Sequence, residues 1–335
     1  MGLPCRAAGF ISLYEDRDLH GLLAALQDEW RQQPRLILGG GSNVLLLEDF
    51  PGLVIHPANE QIELHDDSGN EVLIRVAAGC NWQQLVQWSV ARGLYGLENL
   101  ALIPGLCGAA PIQNIGAYGA EFSNVCTQVE VCDLATGKRF ALQRSDCGFA
   151  YRHSIFKTPT ARDWLVTAIT LRLRHQAEPM LSYPGLLDEL SQSVTTGTSF
   201  SPAQIAAAVT RMRQRKLPDP ALLGNCGSFF KNPQVEPEQL QALLLQHPDM
   251  PHWPASDDQQ GTKLSAAWLI EQCGWRGHRC GAAGVHAQHA LVLINHGGAS
   301  GQDIWRLACD IRASVEQRFG LVLEPEPVII PNQEH

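Results

Sequence analysis

Residues 103–121 read IPGLCGAAPIQNIGAYGAE, and no other stretch restricts the fold of this chain as much. Gly105, Gly108, Gly116 and Gly119 alternate there with small residues, amides and Tyr118. The stretch has neither the 3.6-residue nor the 2-residue apolar period that buries one face of a helix or strand. It is predicted to run as an irregular loop braced by regular structure on either side. Glycines let the backbone come close to a ligand. The loop therefore suits a large flat molecule, with Gln113 and Asn114 offered to its polar edges. A purely structural Ω-loop would have the same composition.

A second glycine cluster, Gly39-Gly40-Gly41-Ser42-Asn43, follows the apolar run RLIL. Amides at such a turn can donate to diphosphate oxygens, and Ser42 and Asn43 add side-chain donors. The spacing is not G-x-G-x-x-G, because Val44 stands where the third glycine belongs, and no Gly-Lys-Ser/Thr follows. Alone, GGGSN is also what a ligand-free tight turn looks like. Two phosphate-compatible loops on one chain favour a dinucleotide more than either does singly.

The chain has 335 residues, 45% of them hydrophobic, which predicts two or three units with substantial cores. Only 18% are charged and the net charge is −9, a composition unlike that of a general nucleic-acid binder. The longest apolar runs are too short to span a bilayer and the start shows no signal peptide, so a soluble cytoplasmic chain is expected. Its ten cysteines include no C-x-x-C pair, so reduced thiols are expected and no metal site is. His286 and His289 lie three apart in a strand-like setting, and no carboxylate completes a zinc site. G-x-S-x-G is absent.

The periodicity predicts helices over 19–30 and 82–92, the second with Asn81 as N-cap and Gly93 as stop. A buried strand running into a glycine turn is predicted over 35–43, strands at 71–79, 125–133 and 164–174, and residues 176–200 read as irregular. A helix begins at Ser201-Pro202 and ends with Arg213, Arg215 and Lys216, whose charges suit the negative end of its dipole. Residues 216–228 read as a domain junction. Beyond it come a helix at 264–273, a strand at 289–296 and an apolar helical stripe from Ile304 to Phe319, with Ser300 as cap and Gly320 as stop. Residues 321–330 close the pattern as an extended segment. The fold class is α+β, with strands grouped early and a second α/β unit later.

Three further motifs can carry chemistry. In YRHSIFK, Arg152 offers a planar fork to a carboxylate, although a solvated arginine reads the same. In GNCGSFFKNP, Gly227 lets the chain turn so that Ser228 projects its hydroxyl, while two phenylalanines anchor the loop. A serine hydroxyl is a weak acid and protonates only a developing carbanion or enolate. In EPEP, Glu324 and Glu326 sit beside prolines in an apolar segment. A desolvated carboxyl there could serve as acid or donor, and an edge strand blocked by prolines would look alike.

In this order the motifs GGGSN, PIQNIGAYG, YRHSIFK, KLPDP, GNCGSFFKNP, AAWLIEQCG, ALVLIN and EPE resemble the UDP-N-acetylenolpyruvylglucosamine reductase (MurB) family, over about residues 35–330. The SYPG around Tyr183 is similar to that family's type I members. The resemblance implies a two-subdomain FAD-binding unit of the vanillyl-alcohol-oxidase (PCMH) type plus a C-terminal α/β substrate-binding domain. It implies the limits 5–176 for the FAD-binding unit, 177–215 for a connecting segment with the tyrosine loop, 216–320 for the substrate domain and 321–330 for a returning strand. FAD, held noncovalently, would contact Gly39, Gly40, Gly41, Ser42, Asn43, Pro104, Gly105, Gln113, Asn114, Gly116, Ala117 and Tyr118. NADPH would be the reductant and UDP-GlcNAc-enolpyruvate the substrate. Arg152 and Glu326 would hold the enolpyruvyl carboxylate, and Ser228 would protonate C2. Tyr183 and Lys216 would grip the diphosphate, with Asn232 and Gln288 nearby. A monomer acting without nucleic acid or membrane is expected.

This sequence departs from the family pattern at Cys226, where alanine is usual, and at Pro327 after Glu326, where valine is common. A related flavin oxidase of a lactone or alcohol is a second reading; residues 39–48 contain no histidine to tether FAD. A non-catalytic nucleotide-sugar module is a third, and it leaves Arg152, Ser228 and Glu326 unexplained.

Overall fold

The chain divides into two compact units that are each discontinuous in sequence. The computed structural model describes residues 1–192, 200–254 and 261–331. The first unit comprises Ala7–Gly41 and Pro51–Arg213; the second comprises Met1–Arg6, Ser42–Phe50 and Gln214–His335. Residues 177–192 and 200–213, from the segment read as a connector, thus cluster with the first unit, while 42–50 join the second. Part of the irregular stretch, 193–199, lies outside the described residues.

The first unit is built on a five-stranded antiparallel sheet, ordered Arg139–Gln143, Cys126–Asp133, Trp164–Arg174, Glu71–Ala77, Ile62–Ser68. Val72, Ile74 and Val76 alternate inward on one strand, as the two-residue period requires, and are almost fully buried. The helix Trp82–Ala91 packs into the same core through Trp82, Leu85 and Val86. It starts where Asn81 accepts a hydrogen bond from the Gln84 amide, as its N-cap position dictates. A smaller sheet joins Ala7–Leu13, Phe50–Pro57 and Arg35–Ile37, covered by the helix Asp16–Gln27 through Leu19, Leu22 and Leu26. That helix begins and ends three residues before the expected 19–30, because a capping box of Glu15 with Asp18 starts it earlier.

The second unit holds a four-stranded sheet ordered Gly224–Ser228, Val292–Asn295, Ala283–Val285, Arg279–Cys280. The helix Gly301–Phe319 lays the predicted stripe, Ile304, Leu307, Ala308, Ile311, Val315 and Phe319, into its core. Ser300 caps its start and left-handed Gly320 ends it. Gly301 has a steric reason, since a Cβ there would collide with the Leu46 carbonyl. The helix start is thereby seated on the strand Val44–Leu46, which pairs in parallel with Val328–Ile330. The helix expected at 264–273 begins only at Ala266, because Thr262–Leu264 forms a strand and Ser265 caps the helix. No helix among the described residues is long and apolar enough to cross a membrane.

Candidate active site

In the first unit the two glycine clusters meet. A Cβ on Gly40 would lie 3.2 Å from the Gly105 Cα, and one on Gly39 would lie 3.5 Å from the Ala109 Cβ. Gly41 adopts φ +62°, a conformation that favours glycine. The 105–108 loop is stitched to the start of the helix Trp82–Ala91: Trp82 N donates to Gly105 O, Cys107 N to Cys80 O and Gly108 N to Ala78 O. Gly108 is needed there, since a Cβ would sit 2.6 Å from that of Ala78. Two backbone segments without side chains, fixed side by side, form a cradle that a Cβ would fill. That is the chemistry a dinucleotide diphosphate needs, so these residues fit FAD.

Of the other expected cofactor contacts, Pro104 is exposed, and Gln113, Gly116 and Ala117 are half-buried. Asn114 is nearly fully buried and has a structural task. Its amide donates to Glu121 Oε2 at 2.7 Å and Ala150 O at 3.3 Å, and accepts from Ser123 N at 2.9 Å. It shapes the loop from within. Asn43 lies in the second unit and is likewise tied down: its Nδ2 donates to Glu326 O at 3.2 Å and its carbonyl accepts from Val328 N at 3.0 Å. Ser42, half-buried, precedes it in the same segment.

Four non-glycine residues in or at the edge of these loops hold positive φ: Leu102 (61°), Asn114 (47°), Tyr118 (50°) and Arg152 (52°). Such backbone costs on the order of 1–3 kcal/mol each and persists where surrounding structure imposes it, often at functional sites. Arg152 sits at the tip of a tight turn closed by paired bonds between Ala150 and His153. Its Nη2 donates to Gly116 O at 2.9 Å, and a Cβ on Gly116 would reach 3.0 Å from its Nη1. The Tyr118 ring packs on Tyr183 at 4.7 Å between centroids.

The same constellation contains a residue that the sequence reading assigned elsewhere. Arg213, in the last turn of the helix Pro202–Lys216, faces Tyr118, Tyr183 and Arg152. Its Nε is buried without a hydrogen-bond partner. Burial, followed by the neighbouring Arg152 charge, holds its guanidinium below the usual arginine range. A cation removed from water beside another cation needs an anion. Local pattern gave no signal, since RMRQRK reads as a solvated helix end.

In the second unit, Ser228 ends the strand Gly224–Ser228 after a bulge that includes Gly227 at φ +73°. Bulges re-aim side chains. Phe229 and Phe230 are buried just beyond, as expected of anchors. Their backbone grips the EPEP segment: Phe230 bridges Pro325, Glu326 N donates to Phe229 O at 2.8 Å, and Lys231 N donates to Glu324 O at 2.9 Å. Ser228 and Glu326 are therefore held by adjoining backbone. Lys231 forms an ion pair with Glu324 at 2.7 Å. The Asn232 Oδ1 accepts from Ala266 N at 3.1 Å, at the start of the helix Ala266–Gln272. Lys216 closes the helix Pro202–Lys216, and Gln288 is exposed on the turn before Val292. Cys226 is buried, and burial pushes its thiol up to about 12, so it stays protonated. All ten cysteines are unpaired. No metal-binding cluster is found among the described residues.

The cradle and the clustered arginines define a class: a two-unit α+β protein with a FAD-binding domain. Residues 22–143 match the FAD binding domain, and residues 219–330 match the C-terminal domain of UDP-N-acetylenolpyruvoylglucosamine reductase. The chain is 46% identical over 330 residues to the UDP-N-acetylenolpyruvoylglucosamine reductase of Chromobacterium violaceum, covering 98% of this chain and 95% of that protein. It is 45% identical to the reductase of that name from Pasteurella multocida, covering 97% and 92%. The crystal structure of the Thermus caldophilus reductase superposes with a TM-score of 0.65 at 25% identity, covering 96% of this chain and 92% of that one. The chain belongs to the UDP-N-acetylenolpyruvoylglucosamine reductase family. This displaces the lactone or alcohol oxidase and the non-catalytic binding module as readings.

Proposed function

We propose that this chain reduces UDP-GlcNAc-enolpyruvate to UDP-N-acetylmuramate for peptidoglycan synthesis, with NADPH as reductant and Ser228, Glu326, Arg152 and Arg213 around the reacting group. The observation that supports it most is the backbone clamp joining the Ser228 strand to the Glu326 segment, because a proton donor and a carboxyl partner must be fixed together. FAD, held by the cradle of Gly39–Gly41 and Gly105–Gly108, would supply the hydride that C3 of the enolpyruvyl group requires, with NADPH as the reductant.

The remaining steps belong to the protein. C2 requires a proton, and the Ser228 hydroxyl gives it. Because serine is a weak acid, C2 must first carry enolate-like charge. Arg152 and Arg213 hold the substrate carboxylate and stabilise that charge, and a desolvated guanidinium does this better than a solvated one. Glu326 contacts the same carboxylate and fixes its orientation. Tyr183 and Lys216 grip the UDP diphosphate, with Asn232 and Gln288 nearby. On this reading the first unit carries FAD and the second binds the UDP-sugar. On the same reading the enzyme acts in the cytoplasm as a monomer independent of nucleic acid and membrane.

An anaerobic titration tests the reading. NADPH should bleach the flavin absorbance of the purified protein, and UDP-GlcNAc-enolpyruvate should restore it with one equivalent. Bleaching without restoration would overturn the substrate assignment.

A further inference from the structure

The turn that carries Gln288 points to a different residue from the one the sequence suggested. Gln288 is exposed, whereas His289 is half-buried. The His289 ring is oriented, because its Nδ1 accepts from the Leu291 amide at 3.3 Å. The proton of the neutral ring therefore sits on Nε2, a donor from which an anionic oxygen can accept. The turn itself is rigid: His286 N donates to Val292 O, Val292 N donates to His289 O, and Arg276 Nε donates to Ala287 O at 2.8 Å.

Three groups act on His289: Lys216 at the end of the helix Pro202–Lys216, His286 on its own turn, and Arg276 beyond the helix Ala266–Gln272. Arg276 is partly neutralised by Glu271 at 2.7 Å. All the rest are cationic or able to become so. His286 adds a second unmet demand, since its Nδ1 is buried with no hydrogen-bond partner. A chain of net charge −9 that gathers these groups in one place has made a site for an anion.

We propose that His289, with Lys216, binds the substrate's diphosphate and takes up a proton as the diphosphate docks. This rests on reading Lys216 as a diphosphate contact. Without ligand, burial and then the neighbouring cations hold the imidazole below its ordinary value, so it is neutral at pH 7. A docked diphosphate reverses the sign of the local field and favours imidazolium. Binding then draws one proton from solution. Affinity is greatest at low pH and falls as pH rises through the value for the complex, by at most about tenfold per pH unit.

UDP-N-acetylglucosamine is the probe, because both of its phosphates are diesters without a proton that titrates near neutrality. Calorimetry at pH 7 in two buffers of different ionisation heat gives the protons taken up per ligand bound. Wild type should take up a substantial fraction of one proton. His289→Gln should bind with that uptake lost and its pH dependence flattened. Binding by wild type without proton uptake would overturn this inference alone, as would uptake that persists in His289→Gln. Failure of wild type to bind the probe at all would overturn the Lys216 assignment as well.

Discussion

The two units hold their candidate functional side chains by opposite means. In the first, Arg152 and Tyr118 sit in irregular loops at positive φ, and Arg213 carries a buried nitrogen that no protein atom satisfies. In the second, Ser228 and Glu326 are fixed by ordinary backbone pairing, with no positive-φ residue other than glycine among those described. Around Arg152 and Arg213 the first unit stores strain and unmet charge that a ligand can relieve, whereas at Ser228 and Glu326 the second offers groups pre-positioned by backbone pairing. Substitutions should therefore separate differently in the two. In the first unit, loss of ligand affinity can come without loss of stability. In the second, a single hydroxyl can be removed and its chemistry lost alone.

The largest expected effect tests the second unit. Ser228→Ala should slow flavin reoxidation by substrate about 10²–10⁴-fold in stopped flow, while bleaching by NADPH is unchanged. Equal slowing of both half-reactions would end its role as proton donor. Next, Asn114→Ala should destabilise the first unit by about 2–4 kcal/mol in denaturant melts, through lost buried bonds and a less tolerated left-handed backbone. An unchanged midpoint would show that the strain is not held by this side chain.

Arg213→Met should lower kcat/KM for substrate about 10–100-fold, the scale of one charge-assisted hydrogen bond. It should leave the melting temperature unchanged or higher, because a buried unpaired cation is removed. A fall in stability with kcat/KM intact would reverse the contrast between the units. Gly40→Ala should crowd Gly105 and weaken FAD binding by about 1 kcal/mol, read as flavin retained on dialysis. The smallest effect is chemical: with its thiol pushed up to about 12, Cys226 should alkylate far more slowly at pH 8 than exposed Cys280, as peptide mass spectra would report.

Much of this was legible because it is local. Asn81, Ser300 and Gly320 announce helix ends, and the stripe from Ile304 to Phe319 announces a buried face. Ser228 and Arg152 stood out because glycines and motifs surround them. Arg213 did not, because only tertiary packing distinguishes a buried arginine from the solvated one that RMRQRK suggests. Asn114 looked like a ligand contact because an amide in a glycine loop reads the same whether it faces outward or inward. The short strand Val44–Leu46 was invisible, since three residues carry no period and the partner strand is Val328–Ile330.

That last pairing has a consequence during biosynthesis. Asn43 and Glu326, joined by a side-chain bond, are 283 residues apart. At roughly 5–20 residues per second, a ribosome needs about 15–60 s between making one and the other. Throughout that interval the segment 42–50 waits as a tethered loop, the edge of its strand Val44–Leu46 open to wrong partners until Val328–Ile330 emerge. A nascent chain stalled before residue 326 should therefore depend on chaperones, and a stop codon in place of Val328 should leave the strand Val44–Leu46 without its partner.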